Sequence, residues 1–194
     1  MDATLPVAVF APLSLEERRA LLWLARRSIR AILEGDDAPR LAHATPALVA
    51  PAAAFVSLYT NSELRGCVGT LSADTPLHDT VARVACSAAF GDTRFTSLRA
   101  LDLPSLAIEI SRLGPLVPAT ATQIEIGVHG VSLDCQGGQA VFLPKVAVEH
   151  GWDREMLLGA LCRKAMLPAD AWQQPDTELF IFTAEVFGDA AEGG

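Results

Sequence analysis

The densest group of residues able to do chemistry is the heptapeptide Leu64–Thr70, Leu-Arg-Gly-Cys-Val-Gly-Thr. Alternate side chains of a β-strand share a face, so Arg65 and Cys67 are predicted to point to the same side. A guanidinium close to a thiol favours the thiolate, the nucleophilic form of cysteine. Gly66 and Gly69 weaken a strand, and such glycines mark a bulge or the close approach of a ligand or another backbone. The heptapeptide is therefore a candidate site. The alternative is a structural hairpin whose cysteine fills a small apolar space.

Three further polar residues could complete such a site. Glu109 lies within an apolar strand pattern, where an ionised carboxylate needs a partner. That partner could be Arg65 or Arg94, or Glu109 could act as a general base beside Cys67. His129 could carry the proton for the thiol, although a histidine in a turn is more often only a turn residue. The sequence does not show whether Cys67, Glu109 and His129 converge.

The composition excludes several classes of protein. Of 194 residues, 51% are hydrophobic and 20% charged, which excludes extended disorder. The 15 basic and 23 acidic side chains give a net charge of −8, which opposes general nucleic-acid binding and leaves room only for a local RNA site. No apolar run reaches the roughly 18 residues of a membrane span, and the N-terminus lacks the basic region of a secretory signal.

Cysteine usage and motif content suggest a cytoplasmic protein without a cofactor. The four cysteines are far apart and form no CxxC pair, which predicts separate thiols in a reducing compartment. No ligand spacing suggests a metal site, and neither a Walker loop nor a GxGxxG motif is present. We therefore predict no metal, no cofactor and no membrane association.

The elements that must position the heptapeptide alternate between helices and strands. A capping box at Ser14 predicts a helix that buries Leu21, Leu24, Ala25, Ile29 and Ile32 and ends at Gly35. Residues 53–71 are predicted to form a hairpin that turns at Asn61 and Ser62. A helix with Pro76 as its first residue and a polar cap should follow, and it should end at Gly91.

The second half of the chain continues the same alternation. We predict a strand at 106–113, a hairpin at 124–143 that turns at 136–138, two helices at about 144–150 and 154–165, and a final strand at 177–187. Because strands and helices are intermixed throughout, the predicted fold is a mixed α/β (α+β) domain. We expect an N-terminal segment at 1–13, the domain at 14–188 and a loose tail at 189–194.

The heptapeptide resembles the signature of the AMMECR domain family, which bacteria and archaea encode as component A of the AmmeMemoRadiSam system. Five further segments resemble family segments in family order, and together they cover nearly the whole chain: Asp92–Phe95, Ile108–Ser111, Gly127–Gly130, Leu143–Asp153 and Lys164–Pro168. The chain departs from the family pattern at three positions outside the heptapeptide. Thr93 replaces a proline, Arg112 stands where valine is usual, and Met166 replaces a glycine.

The resemblance implies a mixed α/β domain of two intimately packed subdomains with no assigned activity. It also implies two partners, a Memo-like protein and a radical S-adenosylmethionine enzyme, that would share a modification pathway with this chain. RNA or a small molecule would be the substrate. The oligomeric state stays open.

Two functions follow from these observations. In the first, the chain is an enzyme component in which Cys67 is a nucleophile or covalent carrier and Arg65 holds an anion. In this case Gly66 and Gly69 admit the substrate, with Arg94 beside them. In the second, the chain is an adaptor that docks its partners or presents their substrate through the same hairpin.

Overall fold

A computed structural model describes residues 10–189 and divides them into two compact units, each with its own four-stranded sheet and core. The predicted mixed α/β class is confirmed. The outer parts of the predicted N-terminal segment and C-terminal tail, residues 1–9 and 190–194, lie outside the described residues. One unit comprises Ala11–Leu113 with the chain from Glu185, and the other is built from Gly114–Ala184.

The first unit contains the heptapeptide. Its sheet has the order β2-β1-β3-β8. Its helices and strands are α1 (Leu15–Glu34), α2 (Pro46–Val49), β1 (Ala54–Thr60), β2 (Glu63–Thr70), α3 (Leu77–Phe90), β3 (Leu106–Leu113) and β8 (Ala184–Gly188). A 3-10 helix, Ala100–Ser105, precedes β3. The core lies between one face of this sheet and helices α1 and α3, and it includes Val56, Leu58, Ile108 and Ile110.

The second unit has a sheet of order β4-β7-β5-β6. Its elements are β4 (Val117–Pro118), β5 (Gly130–Cys135), β6 (Gly138–Phe142), α4 (Pro144–His150), α5 (Arg154–Lys164) and β7 (Glu178–Phe182), with 3-10 helices at Ala121–Gln123 and Ala171–Gln173. Leu157, Leu158 and Leu161 of α5 pack with Val131 and Leu133 of β5 in its core.

The first helix begins where its capping sequence predicts. The Ser14 side chain accepts the Glu17 backbone N–H, and the Glu17 side chain accepts the Ser14 backbone N–H. Gly35 ends α1 with φ +73°, a conformation that glycine adopts without steric cost. Ile32 was expected to be buried but is 55% exposed, because the last turn of α1 is not covered at that position.

The predicted cap of α3 is wrong. Pro76 is the N-cap residue rather than the first helical residue, and no side chain caps the helix. The Leu77 backbone N–H donates instead to the Ala50 carbonyl oxygen at 3.1 Å. A backbone group from the preceding segment thus satisfies one of the free N–H groups at the helix start.

Two predicted strands have different bounds in the structure. The hairpin expected from residue 124 begins at Gly130, because the backbone N–H groups of Val128 and His129 donate to the Glu125 carbonyl oxygen and form a turn. The single final strand is instead two strands, β7 and β8, separated at Thr183 and belonging to different sheets. A continuous apolar run cannot reveal such a change of sheet.

Candidate functional site

The heptapeptide forms most of β2, which is an edge strand of its sheet. The predicted hairpin is confirmed, and Asn61 and Ser62 both adopt positive φ in its two-residue turn. Tyr59 pairs with Leu64 and Leu58 pairs with Gly66, so Arg65 is the extra residue of a β-bulge. Simple alternation along the strand did not predict this irregularity.

Three polar side chains form a row across the central strands. Ser57 of β1 is the register partner of both Cys67 on β2 and Glu109 on β3. Val56 and Leu58, on either side of Ser57, belong to the core beneath the helices, so the row lies on the opposite face of the sheet. The Ser57 hydroxyl donates a hydrogen bond to the Cys67 sulfur at 3.3 Å. Ser57 is buried and Cys67 is half-buried.

Glu109 lies farther from the thiol than the sequence suggested. Adjacent strands are about 4.8 Å apart, so two strand spacings, roughly 10 Å, separate the backbones of Glu109 and Cys67. Ser57 occupies the position between them. The structure therefore places Glu109 in the same row as the thiol, one strand removed from direct contact.

The free edge of β2 is closed at Cys67 by two side chains from the segment after α3. The Asp92 carboxylate accepts the Cys67 backbone N–H at 2.9 Å, and the Arg94 guanidinium donates to the Cys67 carbonyl oxygen at 3.0 Å. These two bonds replace those of a neighbouring strand. We call this pair of side chains, Asp92 and Arg94, the edge clamp.

The two members of the edge clamp also bind each other. Arg94 donates from both Nε and Nη2 to the Asp92 carboxylate, at 2.9 and 2.7 Å. The Arg94 side chain is 59% exposed, whereas that of Asp92 is only 6% exposed. The hydrogen bonds from Arg94, and then that from the Cys67 backbone, hold the pKa of Asp92 well below its usual value. Asp92 raises the pKa of Arg94 in turn.

The sequence analysis did not select Asp92 as a site residue. The resemblance of Asp92–Phe95 to a family motif could have identified it, because Asp92 belongs to the same segment as Arg94. Arg94 was predicted to bind substrate, and its contacts in the structure are to the edge clamp and to the backbone of Cys67.

Both glycines of the heptapeptide are closely approached by the protein's own atoms. A Cβ at Gly66 would overlap the carbonyl oxygen of Ala88 in α3, and a Cβ at Gly69 would overlap the ring of Phe55 on β1. Of the explanations that the sequence left open, close approach of other parts of the chain applies to both glycines, and the bulge at Arg65 also adjoins Gly66.

The contacts of Arg65 and His129 are to residues outside the row of Cys67, Ser57 and Glu109. The Arg65 guanidinium lies 3.4 Å from both the carbonyl oxygen and the hydroxyl of Thr96. His129 belongs to the unit built from Gly114–Ala184, where its Nδ1 accepts the backbone N–H of Glu125 at 3.1 Å. Cys67, Glu109, Arg65 and Arg94 therefore belong to one unit, and His129 belongs to the other.

Between residues 10 and 189, no group of three or more His, Cys, Asp and Glu residues could hold a metal ion. No helix in this part of the chain is long and apolar enough to cross a membrane. All four cysteines are free thiols, with Cys135 and Cys162 buried and Cys86 half-buried.

Comparison with known proteins places this geometry in a family. The sequence profile of the AMMECR1 family matches residues 22–187. The chain belongs to the AMMECR1 family. It is 35% identical to a protein from Methanothermobacter thermautotrophicus, over 92% of this chain and 97% of that protein. A protein from Methanopyrus kandleri is 36% identical, over 94% of this chain and 93% of its own length.

A solved structure confirms the fold. The crystal structure of an uncharacterized protein from Pyrococcus horikoshii is similar to this AMMECR1-family chain with a TM-score of 0.88 and 30% identity. The similarity covers 94% of this chain and 96% of the archaeal one.

The structure shows how the chain accommodates Arg112 and Met166, two residues that depart from the family pattern. Arg112 donates to the Ala11 carbonyl oxygen at 3.1 Å and to Glu185 at 3.4 Å, so the arginine found in place of a valine is paired. Met166 follows α5 with φ +63°, and its side chain lies almost fully in solvent. A glycine would adopt this backbone conformation without strain.

Proposed function

We propose that this AMMECR1-family protein is an enzyme component that uses Cys67 as a nucleophile or covalent carrier. The observation that supports this proposal best is the placement of the thiol. Cys67 is half-buried, its backbone N–H and carbonyl oxygen are both held by the edge clamp, and its sulfur accepts a hydrogen bond from Ser57. A nucleophile held in one geometry loses little freedom when it reacts.

The proposed step is a nucleophilic substitution at a substrate carbon, with the Cys67 sulfur as the nucleophile. The sulfur of Cys67 forms a bond to a carbon of the substrate, the bond from that carbon to its leaving group breaks, and the thiol proton ends on the leaving group. Glu109 would accept and return that proton through Ser57, which lies between them in the row. For this transfer the Ser57 hydroxyl turns, so that it accepts from the thiol and donates to Glu109. Arg65 would bind an anionic part of the substrate, a carboxylate or a phosphate.

The wider role follows from the family resemblance. We propose that the protein works in the cytoplasm, in a modification pathway with a Memo-like protein and a radical S-adenosylmethionine enzyme. Its substrate would be a small molecule or a short RNA segment at the heptapeptide. RNA binding would weaken steeply with added salt, because each phosphate contact releases counterions.

The test of this proposal is a Cys67→Ser variant in a reconstituted mixture with the two partners. We expect modification of the substrate to be lost, with unfolding by urea unchanged within about 1 kcal/mol because the substitution is nearly isosteric. Cys86→Ser is the matched control, since Cys86 is also a half-buried free thiol and should be dispensable. Full activity in Cys67→Ser would refute the proposed role of the thiol.

A second candidate function, a non-catalytic adaptor, is favoured by the glycines. Because Ala88 and Phe55 occupy the space beside Gly66 and Gly69, neither glycine is needed to admit a substrate. In this case Arg65 would anchor a partner protein and Cys67 would only fill space. An adaptor predicts that Arg65→Ala abolishes capture of the partners in a pull-down while Cys67→Ala is tolerated. The reverse pattern would exclude it.

A further inference from the structure

A cleft in the unit built from Gly114–Ala184 contains two of the three tryptophans of the chain. The cavity has a volume of about 400 Å³, and Trp152 and Trp172 both line it. This volume is within the range of cavities that bind small molecules. The cleft contains none of the residues of the proposed thiol site.

The aromatic wall of the cleft is held in position by packing. The Trp152 ring stacks on His150 with centroids 4.4 Å apart and is tilted against Phe142 at 5.8 Å. The Trp152 backbone N–H donates to the Ala147 carbonyl oxygen at 2.8 Å. A rigid indole offers a large contact area, a face that attracts cations and an N–H donor.

Charges of both signs line the same cleft. Glu155 is in the first turn of α5, Arg163 is in its last turn, and Asp170 follows the helix. Within residues 10–189, none of these three side chains makes a hydrogen bond or an ion pair. The cleft therefore presents two carboxylates and one guanidinium, a net charge of −1, to whatever enters it.

This combination restricts the ligand. The net charge of −1 disfavours a simple anion, and a simple cation would leave Arg163 without a partner. A molecule that carries one carboxylate and two cationic groups satisfies all three charges, and an elongated one also contacts the indoles. We propose that the cleft binds a basic α-amino acid. Arg163 binds its carboxylate, and Glu155 and Asp170 bind its cationic groups beside the tryptophans.

The test uses the full chain and the indole N–H resonances of its three tryptophans in NMR spectra. L-Arginine should shift the resonances of Trp152 and Trp172. Trp23, on α1 in the other unit, is an internal control because it is 48% exposed and should not shift. Agmatine, which lacks the carboxylate, should bind about tenfold more weakly than L-arginine.

Variants and a second probe identify the contacts and the source of the ligand. Arg163→Gln should weaken L-arginine binding about tenfold and should not weaken the binding of agmatine, which has no carboxylate for Arg163 to bind. Arg99→Gln, which changes an exposed arginine in the other unit, should alter neither. Nα-acetyl-L-arginine distinguishes a free amino acid from a peptide C-terminus. If it binds as tightly as L-arginine, the α-ammonium group makes no contact with a carboxylate of the cleft, and the proposal of a free basic amino acid is overturned. Absence of shifts, equal shifts at Trp23, or agmatine binding as tight as L-arginine would overturn the proposal.

Discussion

The carboxylate of Asp92 accepts a hydrogen bond from the backbone N–H of Cys67 at 2.9 Å, across 25 residues of sequence. Together with the bond from Arg94 to the carbonyl oxygen, it fixes the edge strand at the thiol. Two segments that resemble family motifs are therefore in direct contact. Side chains of the segment Asp92–Phe95 hold the backbone of the heptapeptide at Cys67.

Loss of Asp92 should destabilise the protein strongly. In Asp92→Ala, the Cys67 N–H and the Arg94 guanidinium both lose their acceptor, so we expect the free energy of unfolding to fall by about 3 kcal/mol. Arg30→Ala is the control, because its ion pair with Glu34 is on an exposed helix surface and contributes less than about 0.5 kcal/mol. Urea denaturation measures the free energy of unfolding of both variants. If Asp92→Ala destabilises the protein as little as Arg30→Ala does, the edge clamp does not hold the strand.

The contribution of Asp92 should depend on pH. Because its pKa in the folded protein is lowered from the usual 3.8, the unfolded chain takes up the proton first as pH falls. The stability that Asp92 contributes is therefore present above pH 3.8 and is lost as pH falls below it. The difference in free energy of unfolding between the wild type and Asp92→Asn should shrink in this acid range. If this difference in free energy stays constant as the pH falls well below 3.8, the pKa of Asp92 in the folded protein is not lowered.

The reason for Gly69 can be tested with a pair of substitutions. Gly69→Ala should destabilise the protein by about 2 kcal/mol, because the new methyl group overlaps the Phe55 ring. In a Phe55→Ala background, the same change should cost less than about 0.5 kcal/mol, since the ring is gone. If the two substitutions add without coupling, Phe55 is not the reason for the glycine. Gly66→Ala should remain costly in either background, because its obstacle is the backbone of Ala88.

Restoring a glycine at position 166 should stabilise the second unit. The backbone N–H groups of Met166 and Leu167 donate to the carbonyl oxygens of Arg163 and Cys162, which is the Schellman arrangement at the end of α5. Since Met166 has φ +63° and is 91% exposed, Met166→Gly removes strain without opening a cavity. We expect a gain of about 1 kcal/mol in the free energy of unfolding, read from thermal melts. Met166→Ala, which retains a Cβ, should bring no comparable gain.

Sequence patterns predicted the elements whose signals are local. The capping box at Ser14 and the two-residue turn at Asn61 and Ser62 involve residues at most three positions apart, and both are confirmed. Glu109 was correctly placed on a strand because apolar and polar residues alternate around it, and Cys67 because its segment returns from the turn at Asn61 and Ser62.

The parts that sequence could not predict depend on contacts between distant segments. The position of Ser57 between Cys67 and Glu109 depends on the strand order β2-β1-β3. The edge clamp and the packing of Gly66 against Ala88 depend on where α3 lies over the sheet. The bulge at Arg65 changes the pairing register by one residue, and nothing in a period-two pattern indicates it.

The most direct test of the central claim is the alkylation rate of each of the four cysteines as a function of pH, in the wild type and in Arg65→Ala. Arg99→Ala serves as the control for loss of an exposed arginine. We predict that Cys67 reacts fastest near neutral pH and that Arg65→Ala, but not the control, slows it. Cys86 is the internal reference, since it is also half-buried and burial raises its pKa. If Cys67 reacts no faster than Cys86, it is not an activated nucleophile. If it reacts at the same rate without Arg65, Arg65 does not activate it.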